Sequence, residues 1–297
     1  MHGWLIIDKP IGIGSTQVVG AVKRSLREGG YAKAKVGHGG TLDPLASGVL
    51  PVAVGEATKL CGRMLDSDKV YDFTIRFGEE TDTLDGEGQV VARSEAPVNE
   101  SRVGDVLGRF IGPISQVPPA YSAIRLGGKR AYDLARAGET VELAERDVTI
   151  HSLELFEARI EEGRFHSTLR ARVSKGTYIR SLARDIAQAV GSVGHVVMLR
   201  RTKAGPFTVE QAISLDKLGE LAKARQLEQA LLPLTAGLDD IPALSVTPDQ
   251  ARAIRQGRRL IGIAAKPGLH LATELSVPVA LVELSEGELR VVRGFNL

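Results

Sequence analysis

Gly37-His38-Gly39-Gly40-Thr41-Leu42-Asp43-Pro44, running on into Val49-Leu50-Pro51-Val52-Ala53-Val54, is the stretch that decides how this 297-residue chain is read. Three glycines and a proline in eight residues hold no regular element, so the first part is a loop. The second part is a short apolar run, the pattern of a buried strand. A carboxylate, Asp43, thus sits on a glycine-rich loop just ahead of a buried strand. Such a loop lets backbone approach a ligand closely and lets a side chain project into a cleft. On local sequence alone, Asp43 reads more readily as the cap of a turn before Pro44. Local sequence leaves both readings open.

Working outward, an apolar run from Trp4 to Ile7 precedes Asp8-Lys9-Pro10 and the loop Gly12-Ile13-Gly14-Ser15-Thr16. Ser15 or Thr16 is placed to cap a helix on which Val18, Val19, Val22 and Leu26 recur at helical spacing. Gly29 and Gly30 end it. Further on, Tyr71, Phe73, Ile75 and Phe77 alternate with Asp72, Thr74 and Arg76, which puts Tyr71 on the apolar face of a half-buried strand. Asp82 to Gly88 is a polar, acidic loop, and Pro118-Pro119-Ala120-Tyr121 is a stiff extended segment. Phe165, Leu169 and Val173 alternate with Arg164, Arg170 and Arg172 in another strand. After Lys175-Gly176, Thr177 is placed to cap a helix lined on one face by Tyr178, Ile179, Leu182 and Ile186, with Arg180 and Arg184 toward another. Leu231 to Pro242 reads as a linker. Thr247-Pro248 opens a short helix, and short strands follow. Two domains are expected, residues 1–238 and 239–297. The second is marginal alone and should lean on the first.

Composition is that of an ordinary globular protein, with 43% hydrophobic and 25% charged residues. The single cysteine, Cys61, excludes an internal disulfide and fits a cytoplasmic protein. No apolar run approaches membrane-spanning length, and the first ten residues are too short and charged for a signal peptide. Net charge is only +2, but cations cluster. Lys23, Arg24, Arg27, Lys33 and Lys35 form one group, and Arg125, Lys129, Arg130 and Arg136 a second. Arg200, Arg201 and Lys203 form a third, and Arg255, Arg258 and Arg259 a fourth. Any one reads equally as a solvated face; four together point to a polyanionic partner.

Familiar sites are excluded. Gly12-Ile13-Gly14 lacks the third glycine of a dinucleotide fingerprint, and the loop around His38 lacks the Lys-Ser/Thr of a P-loop. The six histidines have no paired metal-ligand spacing, and no Gly-x-Ser-x-Gly elbow occurs.

The segment from Gly37 to Leu50 closely resembles the catalytic segment of the bacterial TruB family, the tRNA pseudouridine-55 synthases. Asp8-Lys9-Pro10 is similar to that family's opening motif. Lys69-Val70-Tyr71, with Gly78 and Thr81-Asp82-Thr83-Leu84-Asp85-Gly86, is similar to its second. Pro118 to Ile124, Gly128 to Tyr132, Ser174 to Leu182, and Leu199-Arg200-Arg201 continue the likeness in the family's order. The C-terminal piece resembles a PUA RNA-binding domain. One departure is Gly12-Ile13-Gly14-Ser15-Thr16, which carries one residue more than the family's usual loop.

The resemblance implies an α+β catalytic domain on a mixed, mainly antiparallel sheet, followed by a small β-rich PUA-like domain. It implies an isomerase that breaks the N1–C1′ bond of a tRNA uridine, turns the base and rejoins it through C5. No atom is gained or lost, so no cofactor and no metal is expected. Asp43 would be the nucleophile, at C1′ or at C6. Arg180 would be the pocket arginine that favours its carboxylate. Tyr71 would stack on the target base and handle the C5 proton, although a free phenol is a weak base at neutral pH. Tyr178 and Leu199 would be further base contacts, and His38 would touch the RNA near the flipped base. The implied partner is the tRNA T-arm, bound by a monomer, with no DNA and no membrane. A tRNA-folding chaperone without catalysis is the rival reading, which the joint presence of Asp43, Tyr71 and Arg180 disfavours.

Overall fold

The structure is a computed structural model that describes residues 1–297. Its body is a ten-stranded sheet. In chain order the strands are β1 (Gly3–Lys9), β2 (Val36–His38), β3 (Ser47–Val54), β4 (Lys69–Phe77), β5 (Gly112–Gln116), β6 (Arg146–Glu161), β7 (Arg164–Val173), β8 (Gly194–Ala204), β9 (Phe207–Thr208) and β10 (Leu231–Pro233). Across the sheet they lie in the order β10-β1-β3-β8-β4-β7-β6-β5, with β2 also paired to β3 and β9 to β8. β3 with β8 is the parallel pair in an otherwise antiparallel ladder. This is the mixed, mainly antiparallel sheet of the expected α+β class.

The two sequence patterns correspond to two burial regimes. β1 and β3 are covered on both faces. Leu5 and Ile7 enter one core with Leu50, Val52 and Val54, while Trp4 and Ile6 enter another with Val49 and Ala53. Successive strand residues point to opposite faces, so only a continuous apolar run satisfies both. β4 has one covered face, and its alternation says so: Phe73, Ile75 and Phe77 join the first core. Helix α1 (Ser15–Glu28) contributes Val18, Val22 and Leu26 to that core. Helix α2 (Ile179–Ala189) contributes Leu182 and Ile186.

Three local expectations are corrected. The N-cap of α1 is Gly14, not Ser15 or Thr16, because the Ser15 hydroxyl is engaged with Leu42 backbone instead. The N-cap of α2 is Tyr178, not Thr177, whose hydroxyl donates to the Ser174 carbonyl. Leu231–Pro242 is not a free linker: its first residues form β10, hydrogen-bonded along β1, and a 3₁₀ turn follows.

A second sheet of five strands follows: β11 (Ala243–Ser245), β12 (Leu260–Ile261), β13 (Gly268–Glu274), β14 (Val277–Ser285) and β15 (Glu288–Gly294), ordered β11-β13-β14-β15-β12. Helix α3 (Pro248–Arg255) packs on it, with Thr247 as N-cap and Pro248 in the first turn, as the sequence indicates. This sheet does not stand apart. Leu271, Leu281 and Phe295 join Trp4 and Phe207 in the second core, under the far face of β1 and β3. No helix is long and apolar enough to cross a membrane.

Because that core is shared, Phe295→Ala should cost about 3–5 kcal/mol, as for a large buried aromatic truncated to a methyl. The two sheets should still melt in one transition. Two resolved transitions in calorimetry of the wild-type protein would show that they unfold independently.

Candidate active site

Asp43 lies on the loop between β2 and β3, and four independent ties fix that loop. The Ser15 hydroxyl accepts from the Leu42 amide at 2.8 Å and donates to the Leu42 carbonyl at 3.1 Å. Lys9, fully buried, donates to the carbonyls of Ile13 at 2.6 Å, Pro10 at 2.9 Å and Pro44 at 3.3 Å. The Gly12 amide reaches the same Pro44 carbonyl at 2.9 Å. Arg201, with 1% exposure, donates to the carbonyls of Val49 at 2.7 Å, Gly40 at 3.2 Å and Thr41 at 3.3 Å. Leu42 and Ala46 are buried on either side of Asp43 and anchor the loop in the core.

Glycine is required where this loop joins the sheet. Gly48 has a φ of +100°, and a Cβ there would stand 2.2 Å from the Arg201 carbonyl oxygen. Gly40, at φ +141°, occupies backbone space that side chains rarely adopt.

Against this loop stands Arg180, in the first turn of α2. Its guanidinium forms an ion pair with Asp43 Oδ2 at 2.8 Å and donates to Asp85 Oδ2 at 3.1 Å. It also donates to the carbonyls of Thr83 at 3.0 Å and Tyr121 at 2.9 Å. Only 6% of the Arg180 side chain and 3% of Asp85 are exposed, against 42% of Asp43. Asp85 is held in turn by the Thr83 hydroxyl at 2.6 Å and the Glu87 amide at 3.1 Å. One carboxylate is therefore locked inside, and the other faces open space with a free oxygen.

That space is a cavity of about 290 Å³ lined by Asp43, Tyr71, Tyr178, Ile179, Arg180 and Leu199, among others. The register of the sheet brings the lining together. Arg201 lies opposite Tyr71 and Leu199 opposite Phe73 across β8 and β4, so all four share one face. The Tyr71 hydroxyl is 3.5 Å from an Arg201 nitrogen. Tyr178 caps α2, with its amide donating to Gln116 Oε1 at 2.8 Å, and burial pushes its phenol above the ordinary value. The cavity thus combines a directed carboxylate, a fixed guanidinium and a largely apolar wall. Such a site can form a covalent bond to an electrophilic carbon while holding a planar base away from water.

Five residues singled out from the sequence, Asp43, Tyr71, Tyr178, Arg180 and Leu199, line this one cavity. His38 does not; it lines a separate hollow with α1 and the segment leading into β2. Its imidazole is pushed below the ordinary value, first by burial and then by the Arg201 charge. Asp85, Lys9 and Arg201 were given no role from sequence. All three stand inside quoted motifs, and Arg201 also falls in the third cation cluster. That cluster is corrected: Arg201 is internal, and Arg200 pairs with Asp8 at 2.8 Å. In the fourth cluster Arg255 pairs with Glu274 and Arg259 with Glu288.

Residues 27–179 match the TruB family pseudouridylate synthase N-terminal domain, and residues 180–239 match the tRNA pseudouridylate synthase B C-terminal domain. The chain is 65% identical over 298 residues to tRNA pseudouridine synthase B of Novosphingobium aromaticivorans, covering 100% of this chain and 98% of that one. It is 60% identical over 296 residues to the protein of that name from Zymomonas mobilis, covering 100% and 96%. Among solved structures it resembles an H/ACA RNP bound to a substrate RNA containing 2'-deoxyuridine, with a TM-score of 0.73 and 27% identity over 99% of this chain and 85% of that chain.

Burial lowers the Lys9 ammonium from 10.5 to about 8. Between those values the unfolded chain binds more protons at this site than the folded one, so stability contributed by Lys9 rises with pH across that window. In urea titrations, the stability of wild type relative to Lys9→Met should therefore increase from pH 8 to pH 10. A flat difference would show that Lys9 keeps its ordinary acidity in the fold.

Proposed function

The chain belongs to the TruB family of pseudouridylate synthases, and from that premise we propose that it isomerises uridine 55 in the T-arm of tRNA to pseudouridine. The observation that carries the mechanism is the Asp43–Arg180 pair at 2.8 Å, with the carboxylate half open to the cavity and the guanidinium buried. Asp43 supplies the attacking oxygen and forms a transient covalent bond to the flipped uridine. Arg180 aims that oxygen and balances its charge in a site that has lost water. The N1–C1′ bond breaks, the detached uracil turns against the walls of Tyr71, Tyr178 and Leu199, and C5 bonds to C1′. The proton on C5 leaves and N1 gains one, so the product is an isomer of the substrate. Tyr71 stands beside the base and relays the C5 proton. The cavity has room for one nucleoside, which fits a base flipped from its stack at a cost of a few kcal/mol.

His38 touches the RNA outside the cavity, beside the flipped nucleotide. Residues 1–238 carry catalysis, and residues 239–297 act as a PUA-like RNA-binding domain. The protein works as a cytoplasmic monomer. Relatives at 60–65% identity carry the name tRNA pseudouridine synthase B, whereas the RNP neighbour is 27% identical, which favours free tRNA as the substrate.

Asp43→Asn should abolish pseudouridine formation in an unmodified tRNA transcript while affinity changes little; residual single-turnover conversion would sink the nucleophile assignment. Tyr71→Phe keeps the ring and its packing and removes only the hydroxyl. The single-turnover rate at saturating tRNA should then fall by roughly 10²–10⁴-fold, the range of a positioned acid–base group. A near-wild-type rate at an unchanged melting temperature would leave Tyr71 as a stacking wall alone.

A further inference from the structure

Where β2 leads into the Asp43 loop, Gly37 and His38 line a second, larger hollow of about 800 Å³. Four cations rim it: Lys23 and Arg27 from α1, and Lys33 and Lys35 from the segment leading into β2. All four are exposed. None has a carboxylate within ion-pair distance, unlike Arg200, Arg255 and Arg259 of the other clusters, and no acidic residue lines the hollow. Lys23 and Arg27 are one helical turn apart and so project from one face of α1. Unneutralised cations concentrated on a concavity repel one another, an arrangement that a polyanion relieves.

The floor is different in kind. Leu26, Val36 and Cys61 make it apolar, and the Tyr31 ring stands at its edge. That ring is fixed, since its hydroxyl donates to Glu228 at 3.1 Å and accepts from the Leu227 amide at 3.0 Å. His38 closes the end nearest the active site, with its Nδ1 buried and without a hydrogen-bond partner. Cations at the rim over an apolar, aromatic-edged floor form the combination by which unpaired nucleic acid is held: phosphates above, a base face below.

We propose that this hollow is a second RNA-binding groove, taking a stretch of substrate backbone beside the flipped uridine, with phosphates on Lys23, Arg27, Lys33 and Lys35 and a base against the floor. The proposal deepens the functional reading and rests on it. The groove ends at His38 and the cavity begins at Gly40, two residues on in the same chain segment. The groove sets affinity and placement, and the cavity performs the chemistry.

The chain provides its own reporter, because its one cysteine lies in the groove floor. The test uses the full-length protein and an unmodified tRNA transcript. Lys33→Glu/Lys35→Glu and Lys23→Glu/Arg27→Glu should each weaken binding about tenfold at physiological salt and reduce the salt slope by about two. Single-turnover rates at saturating transcript should stay near wild type. Saturating transcript should also slow modification of Cys61 by N-ethylmaleimide several-fold in the wild type. Unchanged affinity and slope in both double variants would overturn the proposal. So would an unprotected Cys61, even with weakened binding, since the cations would then act from outside the groove. If wild type binds the transcript and protects Cys61 yet forms no pseudouridine, the groove stands and the functional reading fails.

Discussion

A guanidinium with only 6% of its side chain exposed dictates the arrangement of the site. A buried cation left unpaired is severely unfavourable, so every donor on Arg180 must find an acceptor. Its partners come from three distant segments: Asp43 on the β2–β3 loop, Thr83 and Asp85 on the loop after β4, and Tyr121 on the extended segment after β5. Meeting the needs of one side chain thus draws three segments together around Arg180, which itself lines the cavity beside Asp43. The two carboxylates divide the work. Asp85 is enclosed and has its own hydrogen bonds, so it serves as the permanent counter-ion. Asp43 is left with one oxygen toward the cavity, held in direction while open to attack.

The same device recurs around the site. Irregular loops leave carbonyls without partners, and burial makes each one costly. Lys9 satisfies three on the loops beside Asp43, Arg201 satisfies three more, and Lys69 takes those of Met64, Leu65 and Ser67. Cations thus take carbonyls that no ladder reaches, on the loops, at Val49 of β3 and in the last turn of the helix Cys61–Asp66. The two lysines are pushed down to about 8 chiefly by the burial that this role requires.

The strand frame was legible because hydrophobic period reports the number of covered faces. Trp4 to Ile7 and Val49 to Val54 are continuous where the sheet is buried on both sides, and Tyr71 to Phe77 alternates where it is not. The Asp43 loop was legible as a loop, and the family likeness supplied its partners. What failed was charge counted along the chain. Arg200 and Arg201 are adjacent in sequence, but strand neighbours point to opposite faces, so one pairs with Asp8 and the other enters the interior. On a helix the same count is sound: Lys23 and Arg27 do share a face. The capping hydroxyls were misassigned for a related reason. Ser15 and Thr177 have local acceptors that only the folded loops bring within reach.

The position of the site follows from a change of partner in the sheet. Along β3 the outer neighbour is β8 only at Ser47 and Gly48; from Val52 to Val54 it is β2. A strand that exchanges one neighbour for another leaves a gap where neither pairs, and backbone groups there must be satisfied from elsewhere. The segment from Gly39 to Ala46 occupies that gap. Its Gly39 amide donates to the Pro51 carbonyl at 2.8 Å, and Arg201 takes its carbonyls at Gly40 and Thr41. Such a segment must run close to the sheet, which requires glycine, and must present its remaining side chains away from it. Asp43 projects from it into the cavity, and His38, at the end of β2 just before it, lines the second hollow. The two hollows therefore flank one exchange of partners: the cavity opens along the loop that fills the gap, and the second hollow opens where β2 takes over as the neighbour of β3.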